Sequence, residues 1–380
     1  MSRSYDLIII GAGPAGSVAA AAASEGGISV LLLEEHPEIG TPLACAEGLS
    51  RSTIRGYLNV KPAWVAQSLS GSVIKDPRGK EFTIEYPDVG WILNRKVFDP
   101  ALAELAQQKG AVIKKSTKAV GIEENEVIVR EDGNTVKYGF RYLIGADGIS
   151  SNVGRWLGID TRLSLGDIEV CAEYVLSNIR VKPGYAYLIF GTRYAPGGYA
   201  WIFPKSAFSA NVGLGLSLVK TKEKPKFLLD RWVKEEFPEA IIEERIFGGV
   251  PARILKRFSG RNFCLVGDAA RFADPLSGAG IANGIKSGII AGRNAVRIIR
   301  GQKHHLENEM KNEILDELEW HHRVRNIYLK LTDDDFEDVF RIAEKIFHGK
   351  TVSDINTHHL VKQILLFSPH LLRLGFRLLV

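Results

Sequence analysis

One stretch near the start limits the fold more than any other. Residues 5–10, YDLIII, lead into Gly11-Ala12-Gly13-Pro14-Ala15-Gly16; an alanine-rich run follows, Glu25-Gly26-Gly27 ends it, and residues 28–33, ISVLLL, lead directly to Glu34. A short β-branched apolar run reads as a buried parallel strand. Alanine is the strongest helix former, and glycine is the usual helix stop. The unit is therefore strand, turn, helix, strand with dinucleotide-binding spacing. Gly11 permits the tight turn, Gly13 lets a pyrophosphate approach the backbone, and Gly16 lets helix and strand pack closely. The helix N-terminus, at Pro14 and Ala15, offers free N–H groups and a partial positive charge. Glu34 is placed to accept hydrogen bonds from ribose hydroxyls.

Two later stretches repeat the theme of an apolar strand followed by small residues and an acid. Residues 142–148, YLIGADG, put Asp147 and Gly148 after one such strand. Residues 263–268, FCLVGD, end in Asp268 and continue into AARFADPLSGAGIANGIKSG. That order places Asp268 beside a ribose or ribitol hydroxyl. It also turns the backbone N–H groups around Gly278, Gly280 and Ile281 toward a phosphate or ring edge.

Residues 196–204, PGGYAWIFP, alternate three aromatic residues between two prolines. In a strand, Tyr199, Trp201 and Phe203 share one face. The prolines do not suit the middle of a central strand, so defined ends or a sheet edge are expected.

With GAGPAG and Glu34, GADG at 145–148 and GDAARFADPLSGAGI at 267–281, the chain resembles the p-hydroxybenzoate-hydroxylase-like flavoproteins. Within them it resembles the geranylgeranyl reductases, the archaeal digeranylgeranylglycerophospholipid reductases above all, whose P-x-x-Y-x-W-x-F-P pattern PGGYAWIFP matches. LACAEG at 43–48 falls where that family carries its cysteine segment, bringing Cys45 and Ala46 to the cofactor. NRKVFDPALAEL at 94–105 resembles the helix start whose arginine, here Arg95, touches FAD. GGVPARILKRFSGRNF before the third fingerprint also fits. The resemblance spans about residues 1–300. It implies non-covalent FAD, an isoprenoid lipid substrate, and saturation of prenyl C=C bonds by the reduced flavin. The flavin supplies the redox chemistry and the protein places the alkene.

On that reading the aromatic face lines a long, dry channel for an apolar chain. Tyr199 or Trp201 would lie near the reacting bond, where a π face favours developing positive charge. Cys45 and Glu47 are candidate local acids; without the motifs around it, Cys45 would read as a small apolar filler. Cys171 and Cys264 lie in strand patterns and read as core. Since GAGPAG is the one GxGxxG turn, no separate nicotinamide domain is expected, and an external donor, NAD(P)H or a ferredoxin-like protein, would reduce the flavin. A flavin monooxygenase acting on an aromatic or polyketide substrate shares all three fingerprints and stays open as the alternative. A quinone-coupled electron-transfer flavoprotein would need an iron–sulfur site, which three scattered cysteines do not build.

The expected architecture is α/β: a Rossmann-like FAD-binding domain, an inserted antiparallel-sheet catalytic domain and a helical C-terminal region. Residues 1–70, 91–160 and 251–300 are assigned to the first, 71–90 and 161–250 to the second, and 301–380 to the third. Three cysteines among 380 residues allow neither a disulfide framework nor metal-ligand spacing, which suits a reducing cytosol. A net charge of +5 spread over this length gives no argument for nucleic acid. No signal peptide is expected, since the N-terminal apolar run enters the glycine turn directly. No apolar run reaches the roughly 18 residues of a spanning helix. Residues 357–380, THHLVKQILLFSPHLLRLGFRLLV, hold Lys362, Arg373 and Arg377 and no acid. They read either as a docked core helix or as a segment lying on the cytoplasmic membrane face. The acidic run TDDDFEDVF before them reads as a solvated helix face.

Overall fold

The computed structural model describes residues 3–352 and 357–367. The described residues hold sixteen strands: β1 (Arg3–Ile10), β2 (Val30–Leu33), β3 (Gly48–Ser50), β4 (Val65–Lys75), β5 (Glu81–Leu93), β6 (Val112–Lys114), β7 (Thr117–Glu123), β8 (Glu126–Glu131), β9 (Asn134–Gly145), β10 (Ile168–Ser177), β11 (Tyr185–Ile189), β12 (Tyr199–Pro204), β13 (Ser209–Ser217), β14 (Ile241–Pro251), β15 (Ser259–Gly260) and β16 (Phe263–Leu265). They form two sheets.

The first sheet has a parallel centre in the order β16-β9-β1-β2-β6. Leu7, Ile8 and Ile9 of β1, Leu31 and Leu32 of β2, and Leu143 and Ile144 of β9 are fully buried. Strands buried on both faces need this unbroken apolar run. β9 is long enough to pair with the β7–β8 hairpin at its start and with β16 at its end.

The alanine run has a packing reason. The helices Pro14–Glu25 and Ile281–Ile299 cross so closely that a Cβ on Gly288 would stand 2.2 Å from the Ala15 carbonyl oxygen, and one on Gly292 would stand 2.4 Å from that of Ala19. Small residues on both helices bring their backbones together, and so bring their N-termini to one place.

The second sheet runs β14-β10-β13-β12-β11-β4-β5-β3 and is antiparallel except for the β11–β4 pair. Ala172, Tyr174 and Leu176 of β10, Val212, Leu214 and Leu216 of β13, and Ala200 and Ile202 of β12 pack with Leu228, Leu229 and Trp232 of the helix Pro225–Glu236. The alternate residues of the same strands therefore point the other way, toward the first sheet's helix termini. β12 lies inside this sheet between β11 and β13. The two prolines thus mark the ends of a central strand and not an edge: Pro204 is its last residue, and Pro196 precedes it and accepts the Ser217 N–H.

Beyond residue 300 the described chain is helical, with Leu306–Met310, Asp316–Tyr328, Asp333–Phe347 and Thr357–Phe367 as its α-helices. The acidic run is more than a solvated face. Thr332 and Asp335 close a reciprocal cap at the helix start, and Phe336 and Phe340 behind it are buried. Of the C-terminal segment expected to dock or lie on a membrane, residues 357–367 form a helix and residues 368–380 lie outside the described residues. No helix among the described residues is long and apolar enough to cross a membrane.

Candidate active site

Two helix N-termini open into one cavity. The helix Pro14–Glu25 starts at Gly13 and the helix Ile281–Ile299 at Gly280, and neither start has a side-chain cap. Gly13, Pro14 and Ala15 line one part of the cavity, and Gly278, Gly280 and Ile281 line another. Free N–H groups and two converging positive dipole ends make a cradle for a pyrophosphate. Gly11, at φ +103°, makes the turn, and a Cβ on Gly16 would meet the Gly11 carbonyl oxygen at 1.9 Å. Gly13 is different: nothing lies within 4 Å of where its Cβ would be, so its side of the turn is open to a ligand. The residues present fit a dinucleotide.

The acids predicted around this cradle divide into two kinds. Asp268 lines the cavity, and burial pushes its carboxyl upward against the opposing pull of Arg95. Glu34 and Asp147 do not line it. Glu34 closes β2 and holds the turn, accepting the Ala12 N–H at 2.9 Å and the His36 N–H at 3.0 Å. Asp147 accepts the Ser151 hydroxyl at 2.6 Å and the Val153 N–H at 3.0 Å, and so fixes the loop that presents Gly148 to the cavity.

Cys45, Ala46 and Arg95 line the cavity together. Arg95 is clamped in a fork by Asp99, at 3.0 and 2.5 Å. The Cys45 sulfur accepts the Glu47 N–H at 3.2 Å. Burial pushes its thiol up, against the neighbouring Arg95 guanidinium. The expectation that Glu47 is a free acid is corrected. Its carboxylate does not line the cavity; it takes the Arg95 backbone N–H at 2.8 Å, the Asn211 amide at 2.8 Å and the Lys205 ammonium. Glu47 is a strut joining the cysteine segment to β12 and β13.

The opposite wall is the second sheet, read as rows across its strands. One row is Gly248 of β14, Cys171 of β10, Gly215 of β13 and Tyr199 of β12. The next is Ile246, Glu173, Gly213 and Trp201. A Cβ on Gly213 would stand 2.6 Å from the Trp201 ring, so only glycine lets the indole lie flat across β13. Lying there, Trp201 Nε1 donates to Glu173 Oε2 at 2.8 Å. Tyr199 donates to the Ser277 carbonyl at 2.6 Å, tying this wall to the cradle segment before Gly278. Phe203 departs from the expected triad. Its ring stays 6.2 Å from that of Trp201, but it packs toward Gly48 among Leu69, Ile92 and Ala186 and does not line the cavity. Cys264 is core as expected, whereas Cys171 is corrected: it lies on the cavity wall.

Sequence reasoning missed Glu169 and Glu173, both buried on this wall. Burial pushes Glu173 up to about 8, the Trp201 hydrogen bond opposing. Burial likewise pushes Glu169 up to about 7, although Arg325 Nε donates to Glu169 Oε1 at 3.1 Å and the guanidinium is ion-paired with the same oxygen. The signal was present in IEVCAE, where Glu169, Cys171 and Glu173 alternate as polar groups in an apolar strand. The C-terminal helix Asp316–Tyr328 was missed as a support. Besides Arg325, it places His321 against Asp274 and gives the Tyr328 hydroxyl to the Gly198 carbonyl at 2.5 Å. The Phe190 ring then lies between those of Tyr199 (5.9 Å) and Phe340 (5.2 Å), tilted to both.

Comparison with known proteins decides what the arrangement belongs to. Residues 167–250 match the geranylgeranyl reductase catalytic domain, and residues 9–52 match the NAD(P)-binding Rossmann-like domain. The digeranylgeranylglycerophospholipid reductase of Methanosarcina mazei is 37% identical over 361 residues, covering 89% of this chain and 88% of that protein. That of Methanocella arvoryzae is 34% identical, covering 98% of both. The chain belongs to the digeranylgeranylglycerophospholipid reductase family. The solved structure of a geranylgeranyl bacteriochlorophyll reductase-like protein from Thermoplasma acidophilum superposes over 100% of both chains with a TM-score of 0.91 at 28% identity. A flavin-dependent brominase, Bmp2, shares the fold at a TM-score of 0.67 and 18% identity, over 99% of this chain and 93% of that one. The aromatic-substrate monooxygenase alternative falls with this membership, for the flavin apparatus it shares belongs to the wider fold.

Proposed function

We infer that this chain is an FAD-dependent reductase that saturates C=C bonds of geranylgeranyl chains in isoprenoid membrane lipids. The observation that carries the reading is one cavity with two unlike walls. Its first wall is a pair of uncapped helix N-termini that suits a pyrophosphate. Its second is a sheet face of Trp201 and Tyr199 with buried Glu173 and Cys171 that suits an apolar chain. Bound FAD would supply the hydride. Gly13, Pro14, Ala15, Gly278, Gly280 and Ile281 would hold its phosphates, on a turn shaped by Gly11 and Gly16 and braced by Glu34, and Asp268 its ribitol, with Cys45, Ala46, Arg95 and Gly148 around it and Asp147 fixing the Gly148 loop. Trp201 and Tyr199 would orient the prenyl chain and keep water from it.

The functional division that goes with this reading is the one expected from the sequence. Residues 1–70, 91–160 and 251–300 bind the flavin, 71–90 and 161–250 the substrate, and 301–380 are the C-terminal region, whose described helix Asp316–Tyr328 braces both. Electrons come from an external donor, NAD(P)H or a ferredoxin-like protein. The lipid is delivered by peripheral contact with the cytoplasmic membrane face.

The test is an anaerobic reoxidation. Flavin bound to the purified protein is reduced by dithionite in slight excess, and a digeranylgeranylglycerol phospholipid is added. The oxidised-flavin absorbance should return with the unsaturated lipid and not with its fully saturated counterpart. Return with neither, or equally with both, counts against the reading.

A further inference from the structure

Saturating an isolated alkene needs a proton as well as a hydride, and the acids first considered for it are poorly placed. Glu47 is ion-paired outside the cavity. The Cys45 sulfur accepts a backbone N–H. Glu169, the second acid of the wall, is ion-paired with Arg325, whose Nε donates to it, and this opposes its neutral form.

We propose that Glu173, oriented by the Trp201 indole, is the acid that protonates the alkene. Glu173 is 2% exposed and lines the cavity beside Trp201, on the wall facing the cradle. Its two oxygens are unequal. Oε2 accepts the indole N–H at 2.8 Å, whereas Oε1 is buried with no hydrogen-bond partner. An indole is a donor only, so Oε2 acts as the acceptor, and in the neutral acid the proton sits on Oε1. A buried charged carboxylate with an unpartnered oxygen would be far more costly than the neutral acid. The neutral form is thus held with its O–H free for a group arriving in the cavity. Gly213 completes the device, since any side chain there would push the indole away from Oε2.

The chemistry rests on the reductase reading, which supplies the hydride. The alkene π pair forms a C–H bond with the Oε1 proton, and the O–H pair stays on Glu173 as a carboxylate. The other alkene carbon takes the hydride that the reduced flavin supplies. One proton and one hydride are added in sum, and Glu173 regains its proton from water after product leaves. Charges facing Glu173 come from several elements: Glu47 and Lys205 on the strut, Glu244 on β14, and the thiols of Cys45 and Cys171.

The decisive experiment compares wild type with Glu173→Gln, a near-isostere that can still accept the indole N–H. With the FAD-loaded protein and a digeranylgeranylglycerol phospholipid, wild-type kcat should fall with one ionisation above about pH 8. Glu173→Gln should lose about 100-fold or more in kcat, keep its flavin, and lack that pH limb. Infrared difference spectra of the oxidised holoproteins between pH 6 and pH 10 give a readout independent of turnover. Glu169 contributes a carboxyl signal lost near pH 7 in both proteins, whereas the signal lost near pH 8 should be present in wild type and missing from Glu173→Gln. An active wild type matched by an equally active Glu173→Gln with the same pH limb overturns the assignment, as does a total carboxyl signal that the substitution leaves unchanged in amplitude. A wild type that saturates no prenyl chain at any pH overturns the reductase reading itself, and the assignment with it.

Discussion

The two walls of the cavity are built on opposite plans. The cradle is made of backbone: N–H groups of two helix starts, glycines that leave space, and acids such as Glu34 and Asp147 that brace turns. The sheet wall is made of side chains: Trp201, Tyr199, Cys171 and Glu173 over glycines that leave room for rings. The fold that carries the cradle is shared with the brominase. A side-chain wall is where the chemistry of one family is set. Substitutions in the two walls should therefore fail in different ways.

The largest separation is expected at Gly16, where a new Cβ meets backbone at 1.9 Å. Gly16→Val should lose its flavin and about 3 kcal/mol or more of stability. Flavin absorbance and thermal unfolding of the purified variant read both.

The sheet wall can be tested without any ligand. Glu173 has a folded pKa of about 8, above the ordinary carboxyl value. Its contribution to stability is therefore fully present below about pH 4.5 and is lost as pH rises to about 8. Glu173→Gln has no such loss, so the variant should gain on wild type by about 4 kcal/mol between pH 5 and pH 9. Urea unfolding at the two pH values measures it, and equal slopes would mean the acid is not held neutral.

A milder change addresses the cradle alone. Gly13→Asp meets open space, so the fold should hold, but a carboxylate would face the pyrophosphate. Flavin affinity should drop about 100-fold, with the melting temperature of the flavin-free protein nearly unchanged. Titration with FAD reads the first and calorimetry the second; a variant that binds normally would move the phosphate away from this turn. The smallest effect is expected at the C-terminal brace. Tyr328→Phe removes a hydroxyl bonded to the Gly198 carbonyl and should cost about 1 kcal/mol, with flavin binding unaffected.

The same contrast explains what was legible in the sequence. The cradle is local: each glycine turn lies within a few residues of the strand and helix it joins, so GAGPAG, GADG and GDAARFADPLSGAGI could be read directly. The sheet wall depends on register. Tyr199 and Trp201 stood out because they alternate in one strand. Their partners Glu173 and Gly213 come from strands 28 residues upstream and 12 residues downstream of Trp201, and nothing local says that they share a row. Phe203 shows the same limit, since alternation gave its face but not where the cavity ends. Glu47 looked like a free acid because Lys205 and Asn211, which hold it, lie more than 150 residues away. The brace formed by His321, Arg325 and Tyr328 was invisible because a polar helix reads as solvated until its partners are known.

The central claim is that the sheet wall presents a prenyl chain to a hydride donor held by the cradle. Mass spectrometry of the lipid after anaerobic incubation with the reduced holoprotein tests it most directly. The account predicts a digeranylgeranylglycerol phospholipid that gains two hydrogens for each double bond lost and no oxygen. Recovery of the lipid unchanged beside fully reduced flavin, or of an oxygenated chain once air is admitted, would contradict it.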